Sequence, residues 1–216
     1  MRILGVLILA GGTLFGQVHP RDILVRAEKA LAALNSFQAD FEQAFFSTTV
    51  STPLKEKGRL FFQKTGLMRW VYEGPSAQII VLRDGVLETY DPEENQLHRQ
   101  KLPKEQTDTA IFGLLSGQAR LSETYDVENN PFPGGEGPVH QLKLTPKEES
   151  ETNYILLEID ARTDLLRRVV LFDWAFNKNE FTFSRLKINP RLGPDIFKIA
   201  VPAGCEIIDD VTPRKR

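Results

Sequence analysis

The most constraining feature of this chain is an aromatic, alternating stretch at residues 58–91, GRLFFQKTGLMRWVYEGPSAQIIVLRDGVLETYD. It contains four short runs in which polar residues alternate with large apolar ones, as in half-buried β-strands. The runs are separated by Thr65-Gly66, Gly74-Pro75-Ser76 and Asp84-Gly85. Asp-Gly between two alternating runs is a strong hairpin signal, because both residues tolerate positive φ. The stretch therefore predicts an antiparallel meander with one apolar face.

Side-chain alternation sorts the large residues of this region into one inward-facing set. A strand at residues 37–45 and another at residues 180–188 extend the set beyond the meander. The predicted inward residues are Leu60, Phe62, Lys64, Met68, Trp70 and Tyr72 from the meander, Phe37, Ala39, Phe41 and Phe45 before it, and Phe181 and Phe183 after it. Such a face has no obvious catalytic group, which favours binding of an apolar ligand over enzyme chemistry.

Two amphipathic helices are predicted, and both need a surface on which to lay an apolar stripe. In residues 20–36 the apolar residues that recur at helical spacing are Ile23, Leu24, Ala27, Ala30, Leu31 and Leu34. In residues 107–116 the apolar face consists of Ala110, Ile111, Leu114 and Leu115, and Thr107 or Asp108 can cap the helix. The second helix is short and contains Gly113, so it depends on packing against the sheet.

Further alternating runs at residues 139–145, 154–160 and 165–173 predict strands, whereas the tail from residue 190 is predicted to be mostly irregular. The chain as a whole predicts a mainly β fold of about ten to eleven antiparallel strands. We expect an incomplete antiparallel β-barrel in which the two helices form a lid over an apolar cavity.

The N-terminus predicts export. Arg2 precedes a short apolar run and a group of small residues, the pattern of a cleaved signal peptide at residues 1–16, with an uncleaved anchor as the alternative. Residues 17–216 are then expected to form one soluble domain outside the cytoplasm. The formal net charge of −2 gives no reason to expect a nucleic acid partner. The single cysteine, Cys205, excludes an internal disulfide, so stability must come from the core.

Residue chemistry leaves several alternatives open. The aromatic set is either ordinary core or a ligand-binding face, and its length favours the second. Asp40 and Glu42 point outward on a strand, which argues against a general acid–base pair. The sequence lacks the G-x-S-x-G element that is typical of lipid hydrolases. The three histidines are scattered along the chain, so no enzyme activity, metal or cofactor is expected.

Along the chain come, in order, SFQADFEQ, GRLFFQKTGLMRWVYEGP, QIIVLRDGVLETYDPEENQ, LKLTPKEES, LEID, LRRVVLFD, FTFSRLKIN and DIFKIAVPAG. In this order the segments resemble the LolA family of periplasmic outer-membrane lipoprotein carriers. The resemblance implies a periplasmic chaperone that takes triacylated lipoproteins from an inner-membrane transporter to an outer-membrane lipoprotein acceptor. That acceptor has a similar fold and an N-terminal lipid-attachment cysteine, and the absence of such a cysteine here favours the carrier.

The resemblance also assigns roles to residues. The inward-facing Phe37, Phe41, Leu60, Phe62, Met68, Trp70, Tyr72, Phe181 and Phe183 would line the cavity, and Ile23, Leu24, Leu31, Ile111, Leu114 and Leu115 would belong to the lid. The family commonly has an arginine that holds the lid closed where this chain has Lys64, so Lys64 is the latch candidate. A shuttling carrier is expected to be a monomer. Two alternatives remain: a sensor of the same fold, and a carrier of another amphiphile such as a glycolipid.

Overall fold

Twelve strands and three helices account for the regular structure in the computed structural model, which describes residues 18–102, 110–116 and 120–210, the backbone alone at residues 110–112. The helices are α1 (Pro20–Ala32), α2 (Ala110–Leu115) and α3 (Leu121–Thr124). The strands are β1 (Ser36–Phe46), β2 (Leu54–Gln63), β3 (Leu67–Glu73), β4 (Ile79–Arg83), β5 (Val86–Asp91), β6 (Gln96–Lys101), β7 (Tyr125–Asn129), β8 (Val139–Pro146), β9 (Thr152–Asp160), β10 (Leu166–Asp173), β11 (Lys178–Ile188) and β12 (Glu206–Asp209).

All twelve strands belong to one sheet in the order β12-β6-β5-β4-β3-β2-β1-β11-β10-β9-β8-β7. Neighbouring strands are antiparallel except for β12, which is parallel to β6. Strands β12 and β7 are the two edges, so the sheet is open. The mainly β, unclosed fold is therefore confirmed, with twelve strands in place of the expected ten to eleven.

The strands that sequence patterning missed are β6, β7 and β12. Strand β6 has the sequence QLHRQK and β7 the sequence YDVEN, each with too few apolar residues to alternate visibly. Strand β12 lies in the tail that was predicted to be mostly irregular, and that tail also forms a 3-10 turn at Pro194–Phe197. These strands exist because a neighbouring edge offers backbone partners, which no local pattern reveals.

The turns follow the predicted chemistry. Asp84 and Gly85, between β4 and β5, both have positive φ, as a two-residue hairpin turn requires. A β-bulge lies farther along the sheet, where Arg185 in β11 has a φ of 49° and the pairing with β1 shifts between Gln38 and Asp40. Because a bulge bends and twists its strand, it contributes to the curvature of the sheet there.

One hydrophobic cluster fills the concave side of the sheet. It joins the stripe of α1 and the end of α2 to inward residues of β1, β2, β3, β8, β9, β10 and β11. No helix in the described part of the chain is long and apolar enough to cross a bilayer.

The convex side is covered in two places. The C-terminal segment lies across β3, where the Arg69 guanidinium donates to the carbonyls of Ile196 and Lys198, both at 2.8 Å. This segment buries Phe197. At the other half of the sheet, the loop between β7 and β8 covers Arg168, which pairs with Glu158 at 2.9 Å and with Glu180 at 3.2 Å. Neither cover was predicted, because both depend on contacts between distant segments.

Candidate ligand-binding face and its helical cover

The candidate site is the aromatic face, which we define as the nine inward residues Phe37, Phe41, Leu60, Phe62, Met68, Trp70, Tyr72, Phe181 and Phe183. The structure places all nine in or against the concave cluster. Tyr72 and Phe183 are partly buried, and the others are buried. The predicted inward direction of these side chains is thereby confirmed. The prediction that Phe45 belongs to the inward set is wrong. This residue lies at the end of β1, beyond the helices that cover the cluster, and is 39% exposed.

Phe41 is the centre of this face. Its ring makes edge contacts with Trp70 and with Tyr72, each at 4.9 Å between ring centroids. Gly58, which pairs with Phe41 across β1 and β2, provides the space for this ring. A Cβ at Gly58 would lie 2.8 Å from the Phe41 ring and 2.0 Å from the Val71 carbonyl oxygen. Rings in edge contact form an apolar surface, so hydrocarbon chains can pack against it without breaking hydrogen bonds of the protein.

A polar row bounds the aromatic face at one end. The Tyr72 hydroxyl donates to Gln43 Oε1 at 2.9 Å, and Gln43 Nε2 donates to Asn179 Oδ1 at 2.9 Å. Burial, and after it the Glu56 carboxylate, raise the pKa of Tyr72 far above its ordinary value, so the phenol stays protonated. Beyond this row the same side of the sheet continues with the exposed Phe45 and its cross-strand partner Leu54.

Helix α1 covers the face. Its stripe of Ile23, Leu24, Ala27, Leu31 and the following Leu34 is buried within the same cluster as the aromatic face. In α2, Leu114 and Leu115 belong to that cluster as well. The predicted Ile111 contact and the predicted caps Thr107 and Asp108 lie outside the described residues and side chains. The stripe of α1 and two leucines at the end of α2 thus belong to the same cluster as the aromatic face.

Polar contacts of Arg21 and Glu28 tie α1 to α3. The Glu28 carboxylate is buried and accepts from the backbone N–H of Ser122 at 2.8 Å and from its hydroxyl at 2.7 Å. Arg21 Nε donates to the Ser122 carbonyl oxygen at 3.0 Å. Sequence reasoning missed this pair, although a carboxylate four residues after Leu24 on the apolar stripe was a signal that a buried donor had to exist.

Two cation contacts hold the other side of α1. Arg26 Nε donates to the Asp164 carboxylate at 3.2 Å, which ties the helix to the turn between β9 and β10. Lys64 Nζ donates to the Ala32 carbonyl oxygen at 2.7 Å, at the last residue of the helix. The latch candidate therefore touches the helix, although Lys64 itself is exposed rather than inward in the core.

Asp40, one of the two carboxylates weighed from the sequence, is ion-paired with Arg185 on the rim. Among the described residues, no group of three or more His, Cys, Asp or Glu side chains is placed to hold a metal ion. What the described residues of the face present is mainly apolar and aromatic surface.

Comparison with known proteins identifies the family of this chain. Residues 32–200 match the family model described as outer membrane lipoprotein carrier protein LolA. An outer-membrane lipoprotein carrier protein of Nitrosospira multiformis is 30% identical over 176 residues, which cover 80% of this chain and 82% of that relative. One from Methylococcus capsulatus is 28% identical over 186 residues, or 86% of each chain.

Solved structures agree on the fold. An uncharacterized conserved protein from Thermus thermophilus superposes with a TM-score of 0.57 at 16% identity, over 88% of this chain and 98% of that one. At this identity the likeness extends to the fold alone.

Proposed function

Since this chain belongs to the LolA family of outer membrane lipoprotein carrier proteins, we propose that it is a periplasmic carrier that buries the acyl chains of lipoproteins against its aromatic face. The observation that carries the proposal is the shared cluster, in which the stripe of α1 and the leucines Leu114 and Leu115 of α2 pack with the aromatic face of the sheet. Those helix side chains form apolar surfaces of the kind that acyl chains can replace.

The energetics suit a carrier. Each CH₂ group that leaves water contributes about 0.8 kcal/mol, so the chains of a triacylated lipoprotein bind strongly to any open apolar face. Release is therefore the harder step. A helix that returns to the face when the cargo leaves offsets part of the burial gain, because opening must first separate the helix from the sheet.

The contacts of α1 support this role. Its apolar stripe is held down by a small number of polar contacts, from Glu28, Arg26 and Lys64 to groups on neighbouring elements. The partners of Glu28 and Arg26 lie on α3 and on the turn between β9 and β10, and Lys64 follows the end of β2, so all three contacts can open without breaking a hydrogen bond between strands. In the proposal Lys64 is the latch, because its partner Ala32 is the last residue of α1.

The proposed pathway has two partners. An inner-membrane transporter supplies the lipoprotein, and a lipoprotein acceptor at the outer membrane takes it over. A monomer fits this role, because the covered face must be presented to each partner in turn. Export through the predicted signal peptide would place the protein in the periplasm, and no step of the pathway calls for an enzyme activity.

The deciding experiment is native mass spectrometry of the protein purified from the periplasm, with identification of the bound species. A triacylated lipoprotein in a one-to-one complex supports the proposal. A bound glycolipid or phospholipid would keep the apolar site and change the cargo. A protein that stays empty after incubation with detergent-solubilised lipoprotein contradicts acyl-chain binding and favours a sensor of the same fold.

Hydrogen exchange tests the lid separately. Backbone amides of α1 and α2 should exchange faster in the loaded protein than in the empty one, while those of β1 and β2 stay protected. Unchanged exchange in both helices on loading would mean that they are fixed core elements.

A further inference from the structure

Three neighbouring hairpin loops meet at one end of the sheet, because β2, β1, β11, β10, β9 and β8 are consecutive in it. Two contacts join the loops in series. The backbone N–H of Thr48, between β1 and β2, donates to Asn177 Oδ1 at 3.0 Å. Trp174 Nε1, between β10 and β11, donates to the Ser150 carbonyl oxygen at 2.7 Å, between β8 and β9. The loops therefore present one continuous surface.

Two of these loops and the strand ends beside them expose large apolar side chains. We call this set the apolar tip: Phe45, Val50, Leu54, Trp174 and Phe176. Trp174 is 65% exposed and Phe176 is 62% exposed. The loop at residues 47–53, STTVSTP, contains no charged residue. Such a cluster on a water-exposed surface requires an explanation, since single exposed apolar residues are common and grouped ones are not.

The turn that carries Trp174 and Phe176 has a conformation fixed by hydrogen bonds. Phe176 has a φ of 60°, a conformation that an aromatic residue rarely adopts. Asp173 holds the turn in this shape, because its carboxylate accepts from the backbone N–H of Asn177 at 2.9 Å and from the Asn177 side chain at 2.7 Å. The turn therefore displays both aromatic rings at a fixed position, which lowers the entropy cost of binding.

We propose that the apolar tip inserts into the interfacial region of a lipid bilayer with neutral headgroups. Tryptophan and phenylalanine beside Ser and Thr side chains suit that region, where the rings reach the acyl chains and the Trp N–H and the hydroxyls stay near polar groups. The third loop, residues 147–151, carries Glu148, Glu149 and Glu151 against Lys147, and Glu149 and Glu151 lie beside Trp174. Its net charge of −2 would be repelled by anionic lipid. The surface thus selects a neutral bilayer.

The apolar tip is a surface separate from the aromatic face, and its insertion into a bilayer is an activity beyond lipoprotein carriage. Within the carrier it would add a contact with the membrane itself. Phe45 and Leu54 lie on the same side of the sheet as the aromatic face, and the polar row of Tyr72, Gln43 and Asn179 separates them from it.

The test uses the protein recovered from the periplasm, with its N-terminus determined by mass spectrometry, and vesicles of phosphatidylcholine free of other protein. Trp174 is exposed and Trp70 is buried at 4% exposure, so a blue shift of the emission on adding vesicles reports the tip. Cosedimentation gives the partition coefficient. We expect binding to neutral vesicles, and weaker binding when anionic lipid is added at low salt.

Two variants remove the rings with little cost to the fold. Phe176→Asn places a residue that tolerates positive φ in the turn, and Trp174→Gln keeps an N–H donor near Ser150. Together they should lower vesicle binding, measured by cosedimentation, by about tenfold or more, and Phe176→Asn alone should reduce the blue shift of Trp174. Ile207→Ser, which changes a 48% exposed residue on β12, is the matched control and should bind as the unaltered protein does.

Three results would overturn the inference. One is an unaltered protein that neither sediments with neutral vesicles nor shifts its emission. Another is equal binding by the double variant and the Ile207→Ser control. A third is a cross-link from position 174 to a membrane protein with no binding to protein-free vesicles, which would assign the tip to a protein partner. None of these results depends on whether the aromatic face binds lipoprotein.

Discussion

Lys64 Nζ lies 2.7 Å from the carbonyl oxygen of Ala32 and donates a hydrogen bond to it. Ala32 is the last residue of α1, where carbonyl groups lack partners within the helix and the helix dipole favours a positive charge. The backbone N–H of Lys64 also donates to the Asn35 carbonyl oxygen at 2.9 Å. One residue at the end of β2 therefore holds both the helix end and the turn that follows it.

We predict that Lys64→Met loosens the end of α1 without unfolding the sheet. The substitution keeps most of the apolar stem and removes the donor, so global stability should fall by less than about 1 kcal/mol. Hydrogen exchange of residues 28–34 should become faster, while β1 stays unchanged. Lys64→Arg should exchange like the unaltered protein, because a guanidinium can also donate to Ala32.

The control for this prediction is Lys55→Met, at the opposite end of β2. It should leave exchange in α1 unchanged. Equal exchange in the Lys64→Met and Lys55→Met variants would show that the hydrogen bond to Ala32 does not hold the helix.

We predict strong coupling between Glu28 and Ser122. The buried carboxylate accepts two hydrogen bonds from Ser122, so Glu28→Ala leaves a buried N–H and hydroxyl without their acceptor. Each single substitution to alanine should cost about 1–3 kcal/mol in the free energy of unfolding. A double-mutant cycle followed by urea unfolding should give a coupling energy of about 1–2 kcal/mol. Additive costs would argue against a shared interaction.

We predict that Gly58→Ala destabilises the folded protein more than Lys64→Met does. The added Cβ would lie 2.0 Å from the Val71 carbonyl oxygen, so the backbone itself must move. A loss of about 2–4 kcal/mol is expected, measured by thermal or urea unfolding. Gly193→Ala is the matched control, because a Cβ there meets no atom within 4 Å. A second substitution, Phe41→Leu, should not restore stability, since the clash with Val71 is with backbone.

We predict a loss of stability at alkaline pH that depends on Tyr72. Its pKa is raised in the folded protein by burial and then by Glu56. The folded state therefore keeps a proton that the unfolded state releases above about pH 10. Stability is full below that pH and falls as the pH rises through it.

Urea unfolding between about pH 8 and pH 11 measures this effect. The Tyr72→Phe variant should be less stable at neutral pH, because Gln43 loses a donor, and should show a shallower alkaline decline. Tyr154→Phe controls for the removal of one phenol. An alkaline decline that is the same in Tyr72→Phe and in the unaltered protein would contradict the assignment to Tyr72.

The strands and their faces could be predicted where pattern and turn chemistry agreed. Leu60, Phe62, Met68 and Trp70 are buried as alternation requires, and Asp84-Gly85 makes the predicted turn. Contacts and strand pairings could not be predicted where they depend on a partner that is distant in the sequence. Nothing local to Glu28 identifies Ser122, and nothing in EIID reveals that β12 will lie parallel to β6.

The sequence by itself determined the periods of two and 3.6, and hence which side chains can share a face, because these repeats come from backbone geometry within a few residues. Only the tertiary structure decided where that face ends. Phe41 and Phe45 follow the same alternation, yet the first is buried and the second lies exposed beyond the helices. Burial depends on what covers a strand, and here the cover comes from helices whose positions are set by contacts such as Arg26 with Asp164 and Lys64 with Ala32.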